Sequence, residues 1–134
     1  MNRLNIPFEQ TTSLIISTGN QRIKIKTELA TSDIEIFQAL NYRTKKEFSQ
    51  PLTLKFGNPL AQSFVKINFS FPVEIIAVDY LTHKVKKTQF IPAKKEKGGD
   101  FIQGFSEYSV VVFVPRGFCK GNKIEEGKTA ITIK

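Results

Sequence analysis

Along the chain, apolar and polar positions alternate with a period of two far more often than they recur with a helical period. Ile23, Ile25 and Thr27 alternate with Lys24, Lys26 and Glu28, Leu52, Leu54 and Phe56 with Thr53 and Lys55, and Thr129 to Ile133 repeats the pattern. A period of two sends successive side chains to opposite faces of an extended chain, so each run predicts a strand with one buried face. Thr12 to Thr18 reads as a short strand before a Gly19-Asn20 turn, and Gly57-Asn58-Pro59 closes the strand that Pro51 introduces. Ser63 to Ile67, Val85 to Ile91 after the turn Leu81-Thr82-His83, and Ser109 to Val114 ended by Pro115 are further strands.

Val73 to Asp79, Val-Glu-Ile-Ile-Ala-Val-Asp, breaks the alternation. It leaves no clearly polar face, which predicts a central strand buried on both sides. One segment reads as a helix: Ser32-x-x-Glu35 is a capping box, in which each side chain bonds the backbone N–H nearest the other, and Ile34, Ile36, Phe37 and Leu40 then share a face. That pattern stops near Asn41-Tyr42-Arg43. Strands at fairly even spacing with one short helix near residues 32–41 predict an all-β, mainly β fold, a small antiparallel β-barrel or sandwich.

A chain of 134 residues has room for a single domain, 1–134, with residues 1–22 as an N-terminal extension or edge strand. There is no internal repeat or linker, and the polar Lys94 to Asp100 loop is the segment expected to be most mobile. The lone Cys119 cannot form an internal disulfide, and it excludes thiol-rich zinc sites and Cys-x-x-Cys redox chemistry. It is expected to pack, reduced. No apolar run approaches the roughly 20 residues that cross a bilayer, and Leu14-Ile15-Ile16 is too short for a signal-peptide core. The chain as given therefore reads as soluble, a trimmed leader being compatible with it.

Charge adds a second theme. Lys and Arg number 20 against 12 Asp and Glu, a net +8. Such a balance invites nucleic acid, because cationic side chains release counterions from phosphate backbones. The densest group, Lys84, Lys86, Lys87, Lys94, Lys95 and Lys97, runs along one strand and into the Gly98-Gly99 loop. Lysines there also keep an exposed sheet edge soluble, and the solvated edge is the favoured reading.

From Ser63 to Asp79 the residues Ser63, Phe64, Asn68, Pro72, Ile75 and Asp79 follow one another at a spacing that resembles, without a gap, the bacterial and archaeal family catalogued as domain of unknown function 192. That family has Ser-Phe-Trp-Met-Lys-Asn-Thr followed by an Ile-Pro-Leu-Asp-Ile strand that ends in Asp. Ala39-Leu40-Asn41-Tyr42-Arg43 is similar to its Gly-Leu-Met-Phe-Arg, and Gly117-Phe118 and Ile124-Glu125-Glu126-Gly127 to its Gly-Trp turn and Ile-x-x-Gly-Asp. The resemblance covers roughly residues 23–133. Val65-Lys66-Ile67 replaces the Trp-Met-Lys triplet, and Glu74 stands where the family has Asp. What the resemblance implies is a mostly β barrel with a short helix, and it brings no established activity.

Candidate chemistry is sparse. Asn68, Glu74 and Asp79 are polar positions in an apolar stretch. Asn68 can bind a ligand through its amide or close a turn on its own backbone. A carboxylate such as Glu74 in a two-sided apolar strand must be paired, protonated or placed at a barrel mouth, and Arg43 is the candidate partner, as a fold-specifying lock or as a ligand anchor. His83 is the only histidine and falls in a turn, so a metal site or a Ser-His-acid arrangement would have to rest on that one side chain, and a solvated turn residue is the favoured reading. Glu125-Glu126 reads as a polar turn before Gly127, and Gly98-Gly99 lacks the frame of a phosphate loop.

The sequence does not name an activity. Its favoured reading is a non-catalytic β-barrel module that binds a small ligand or protein partner through Arg43, Asn68, Glu74 and Asp79, with Phe64, Phe69 and Phe71 as apolar walls and no cofactor. A nucleic-acid-binding barrel that uses the lysine strand and exposed aromatics is the alternative. A carboxylate-dependent enzyme is the reading with least support.

Overall fold

A computed structural model of the chain describes residues 11–31, 35, 50–55, 64–67, 69, 71–79, 81–92, 100–103 and 108–133, with the backbone alone at 64–67, 100–103 and 108–109. The strands are β1 (Thr11–Thr18), β2 (Gln21–Ala30), β3 (Leu52–Lys55), β4 (Phe64–Ile67), β5 (Val73–Asp79), β6 (Val85–Ile91), β7 (Asp100–Gln103), β8 (Tyr108–Pro115) and β9 (Ala130–Ile133). A single-turn helix, α1 (Phe118–Gly121), lies between the last two. The all-β expectation holds, and the strands read from alternation fall within a residue or two of their expected ends.

β1 and β2 form a hairpin in which Thr11 faces Glu28 and Thr18 faces Gln21. Gly19, at φ 58, makes the reversal in a left-handed conformation that costs glycine little. Seven strands join in the order β6-β5-β8-β3-β2-β1-β9, while β4 and β7 form a separate antiparallel pair. All neighbours in the large sheet are antiparallel except β2 and β3, which run parallel. A parallel pair needs a long crossover rather than a tight turn, and residues 31–51 supply it. Buried threonines fasten this pair: the Thr27 hydroxyl lies 2.8 Å from the Pro51 carbonyl and 2.9 Å from the Thr53 hydroxyl.

The two ends of the sheet order meet at one point. Lys84 bridges Ala130, the Val85 N–H donates to the Thr129 carbonyl at 2.7 Å, and the Ile131 N–H donates to the His83 carbonyl at 2.8 Å. At that end the twisted sheet closes into a barrel. Closure removes part of the edge that an open sheet would expose.

β5 and β8 carry core on both faces. Val73, Ile75 and Ala77 pack with Leu52, Leu54, Phe69, Phe71, Val111 and Phe113 on one side. On the other, Ile76 and Val78 pack with Leu14, Ile16, Val85, Val112, Val114 and Ile131 inside the curled sheet. The expected two-sided burial of Val73 to Asp79 follows from this position, with β6 and β8 as lateral neighbours. Phe69 and Phe71 stack at 5.0 Å, and Phe69 meets Phe113 edge-on at 6.1 Å.

Most of the expected helix near 32–41 lies outside the described residues. Glu35 is helical, and its Oε1 accepts the Thr31 N–H at 3.1 Å, the back-reaching half of a capping interaction. Of the Lys94 to Asp100 loop, only Asp100 is described, and it begins β7. Neither β7 nor α1 is expected from the sequence: Asp100 falls in the polar Lys94 to Asp100 segment read as a loop, and a single helical turn is too short to show a helical period.

Candidate functional site

Glu74 and Asp79 stand near opposite ends of β5, about 17 Å apart at the usual rise per strand residue. They do not share a pocket. Glu74 faces the inner side of the curled sheet, with Ile76 and Val78, at the end where β8 leaves the barrel. Beyond Pro115 the chain turns back through Gly117, at φ 90, and α1 lays its first backbone N–H groups over the Glu74 carboxylate. The Gly117 N–H donates to Glu74 Oε2 at 3.0 Å and the Cys119 N–H to Oε1 at 2.9 Å.

Desolvation pushes the Glu74 pKa up, but the N–H groups of Cys119 and Gly117, the Cys119 thiol and the nearby Arg116 charge together outweigh it and hold the carboxyl below its ordinary value. The carboxylate in turn acts on its neighbour. Burial and then Glu74 push the Cys119 thiol up to about 12, so this sulfur is a protonated packing group and a poor nucleophile. An open pocket of about 150 Å³ lies beside the pair, lined by Glu74, Thr88, Gln89, Phe90 and Cys119.

At the other end Asp79 closes the turn into β6. Its Oδ1 accepts the Leu81 N–H at 2.8 Å and the Thr82 N–H at 3.1 Å, while its carbonyl accepts the His83 N–H at 2.8 Å. Those side-chain bonds, Thr82 first and Leu81 second, hold the Asp79 carboxyl below its ordinary range. His83 takes a positive φ of 63, a backbone state that few side chains occupy without support. Around this turn opens a pocket of about 340 Å³ whose walls are Val78, Val110, Ile131 and Ile133, with Lys55, Asp79, His83 and Thr132 completing its lining. Val78 and Ile131 belong to the core inside the curled sheet, so the pocket is the mouth of the barrel.

Arg43 and Asn68 lie outside the described residues, as do Lys94, Lys95 and Lys97. Lys84, just before β6, and Lys86 and Lys87, at its start, are exposed; β6 is the last strand in the order of the large sheet. The expectation that Phe69 and Phe71 wall an open site is corrected: they are 2% and 6% exposed, because each ring is spent on core packing against the outer face of β5 and β8. The exposed aromatic ring among the described side chains is Phe90, 47% open, with the Arg116 guanidinium 5.5 Å above it. No group of three or more His, Cys, Asp or Glu side chains is placed to hold a metal ion among the described residues.

Sequence reasoning missed Lys55 and the apolar wall of the mouth. Lys55 is a polar position of the alternating run Leu52 to Phe56, and nothing in that pattern marks it as a site residue. Only the pairing of β3 with β8, which sets Lys55 opposite Val110, brings it to the opening.

No protein-family model matches the chain, and no curated protein matches it significantly. Solved structures share its fold, among them these two. One is described as a "putative transcription regulator" from Sinorhizobium meliloti 1021, with a TM-score of 0.72 at 13% identity over 92% of this chain and 94% of the other. The second, a protein of unknown function from Novosphingobium aromaticivorans, has a TM-score of 0.70 at 18% identity, covering 91% of this chain and 84% of its own. Among the described residues, no helix is long and apolar enough to cross a membrane.

Proposed function

We propose that the protein is a non-catalytic β-barrel binding module that takes a small amphipathic ligand in the barrel mouth. The observation that carries this reading is the pocket of about 340 Å³, with aliphatic walls from β5, β8 and β9 and three ionisable groups, Lys55, Asp79 and His83, in its lining. Apolar walls with a few orienting polar groups are the usual composition of small-molecule sites. Asp79, a site residue expected from the sequence, belongs to it. Glu74 does not. Its two oxygens are occupied by backbone donors, and a carboxyl held ionised in that way is poorly suited to deliver a proton. Membership of the domain-of-unknown-function 192 family, carried by the ungapped Ser63 to Asp79 match, is part of the same proposal.

A nucleic-acid reading draws on Lys84, Lys86, Lys87 and the exposed Phe90. It is the weaker one, because stacking platforms need free ring faces and Arg116 already lies over this ring. The test of the leading reading is a thermal-shift series with hexanoate, octanoate and the corresponding alkylamines. A probe that binds the mouth raises the melting temperature of the parent protein and loses that effect in Ile133→Trp, which fills the opening. Lys55→Ala should selectively weaken the carboxylates. Stabilisation that persists unchanged in both variants contradicts the site.

A further inference from the structure

We infer that the outer edge of β6 at Thr88 to Phe90 is a strand-addition site for an extended acidic peptide segment. β6 ends the order of the large sheet; its start at Val85 is bonded on the outer side to Thr129 and Gly127, next to β9, but among the described residues no strand pairs with the outer side of Thr88 to Phe90. Its backbone direction follows from the ladder. Residues of an antiparallel strand alternately turn both backbone groups toward and away from a given neighbour. The Thr88 N–H donates away from β5, to Glu126 Oε2 at 2.7 Å, so Thr88 and, two residues on, Phe90 turn their backbone groups outward. The irregularity opposite Ala77 and Val78 sets this phase: Val85 also faces outward, to Thr129 and Gly127, and one extra residue lies between the two registers. The Thr88 carbonyl and both backbone groups of Phe90 thus face the outer side of the sheet.

Two further observations favour an occupant. The pocket of about 150 Å³ lies against this edge, with Thr88, Gln89 and Phe90 in its wall. Strand addition draws affinity from main-chain bonds and selectivity from such side pockets. Charge then decides the partner. Lys86 and Lys87 are exposed on the same strand and Lys84 just before it, Arg116 stands over Phe90, and the chain carries a net +8. A second copy would bring like charges together across the new pair, whereas an acidic segment complements them. Glu126 already holds the place such a segment would take, since its carboxylate accepts both the N–H and the hydroxyl of Thr88. In this reading Glu126 is the internal stand-in that an incoming acidic strand displaces.

The probe is a synthetic peptide of alternating Glu and Val, titrated into the intact protein at low ionic strength by fluorescence anisotropy. It should bind, and a single N-methyl group should weaken it about tenfold when it removes an edge-facing N–H, yet less than about twofold at the neighbouring residue. Phe90→Pro, which removes an outward N–H without breaking a bond to β5, should weaken the unmethylated peptide to a similar extent. Glu126→Ala should tighten it. No binding, equal effects of N-methylation at both phases, or equally tight binding of a single-stranded oligonucleotide would each overturn the proposal. The methylation series decides the matter even if Phe90→Pro does not fold. The barrel-mouth reading stands or falls separately, because none of these residues lines that pocket.

Discussion

Glu74 is stabilised by geometry that lies far away in the sequence. An ionised carboxylate in a strand with core on both faces would be costly alone, and two backbone N–H groups more than forty positions downstream offset that cost. The bonds form only with the ionised acid at full strength, which is why its pKa falls despite desolvation. A folded-state pKa below the ordinary 4.5 means a stabilising contribution that is complete above that pH and is lost as the pH falls through the folded value. Glu74→Gln should therefore cost roughly 1–2 kcal/mol at neutral pH and flatten the acid limb of the melting temperature against pH. An acid limb that is identical in parent and variant would remove Glu74 from the list of groups that link stability to pH.

At the scale of elements, the parallel contact between β2 and β3 depends on a buried polar pair. Thr27 and Thr53 are both fully buried, and the Thr27 hydroxyl reaches the Pro51 carbonyl as well as Thr53. Thr27→Val keeps the shape and leaves partners unmatched, so chemical denaturation should show a loss of about 1–3 kcal/mol. The double substitution of Thr27 and Thr53 by Val should cost less than the sum of the single changes, and strict additivity would show that the hydroxyls act independently. Alternation made these strands legible: Ile23 to Glu28 and Leu52 to Lys55 announce their inward faces residue by residue. It did not announce which strand lies beside which, and the parallel pairing of β2 with β3 depends on a crossover that no local pattern encodes. β7 and α1 escape notice for simpler reasons: β7 begins at the end of a polar segment that reads as a loop, and α1 is a single turn.

In the molecule as a whole, β5 and β8 separate two cores, and the contact of β6 with β9 closes one end of the barrel. The composite reading of Val73 to Asp79 as a doubly buried strand carried the architecture well, since burial on both faces is a property of the segment itself. The site was less legible. Polar residues in an apolar run mark exceptions to packing, but sequence does not tell a ligand anchor from a backbone cap, and Glu74 and Asp79 both proved to be bonded to backbone N–H groups. Beside Asp79, the mouth of the barrel is assembled from ordinary positions, Lys55, Val110 and Ile133, whose proximity is a consequence of strand order.

That mouth is best tested by amide chemical-shift mapping of the isotope-labelled protein during a titration with octanoate. A ligand seated between β3, β5, β8 and β9 should perturb the amides of Lys55, Asp79, His83, Val110 and Ile131 to Ile133 in a saturable way and leave those of Thr88, Phe90 and Cys119 in place. Shifts confined to the Glu74 end of β5, or none at saturating octanoate, would contradict a ligand site in the barrel mouth.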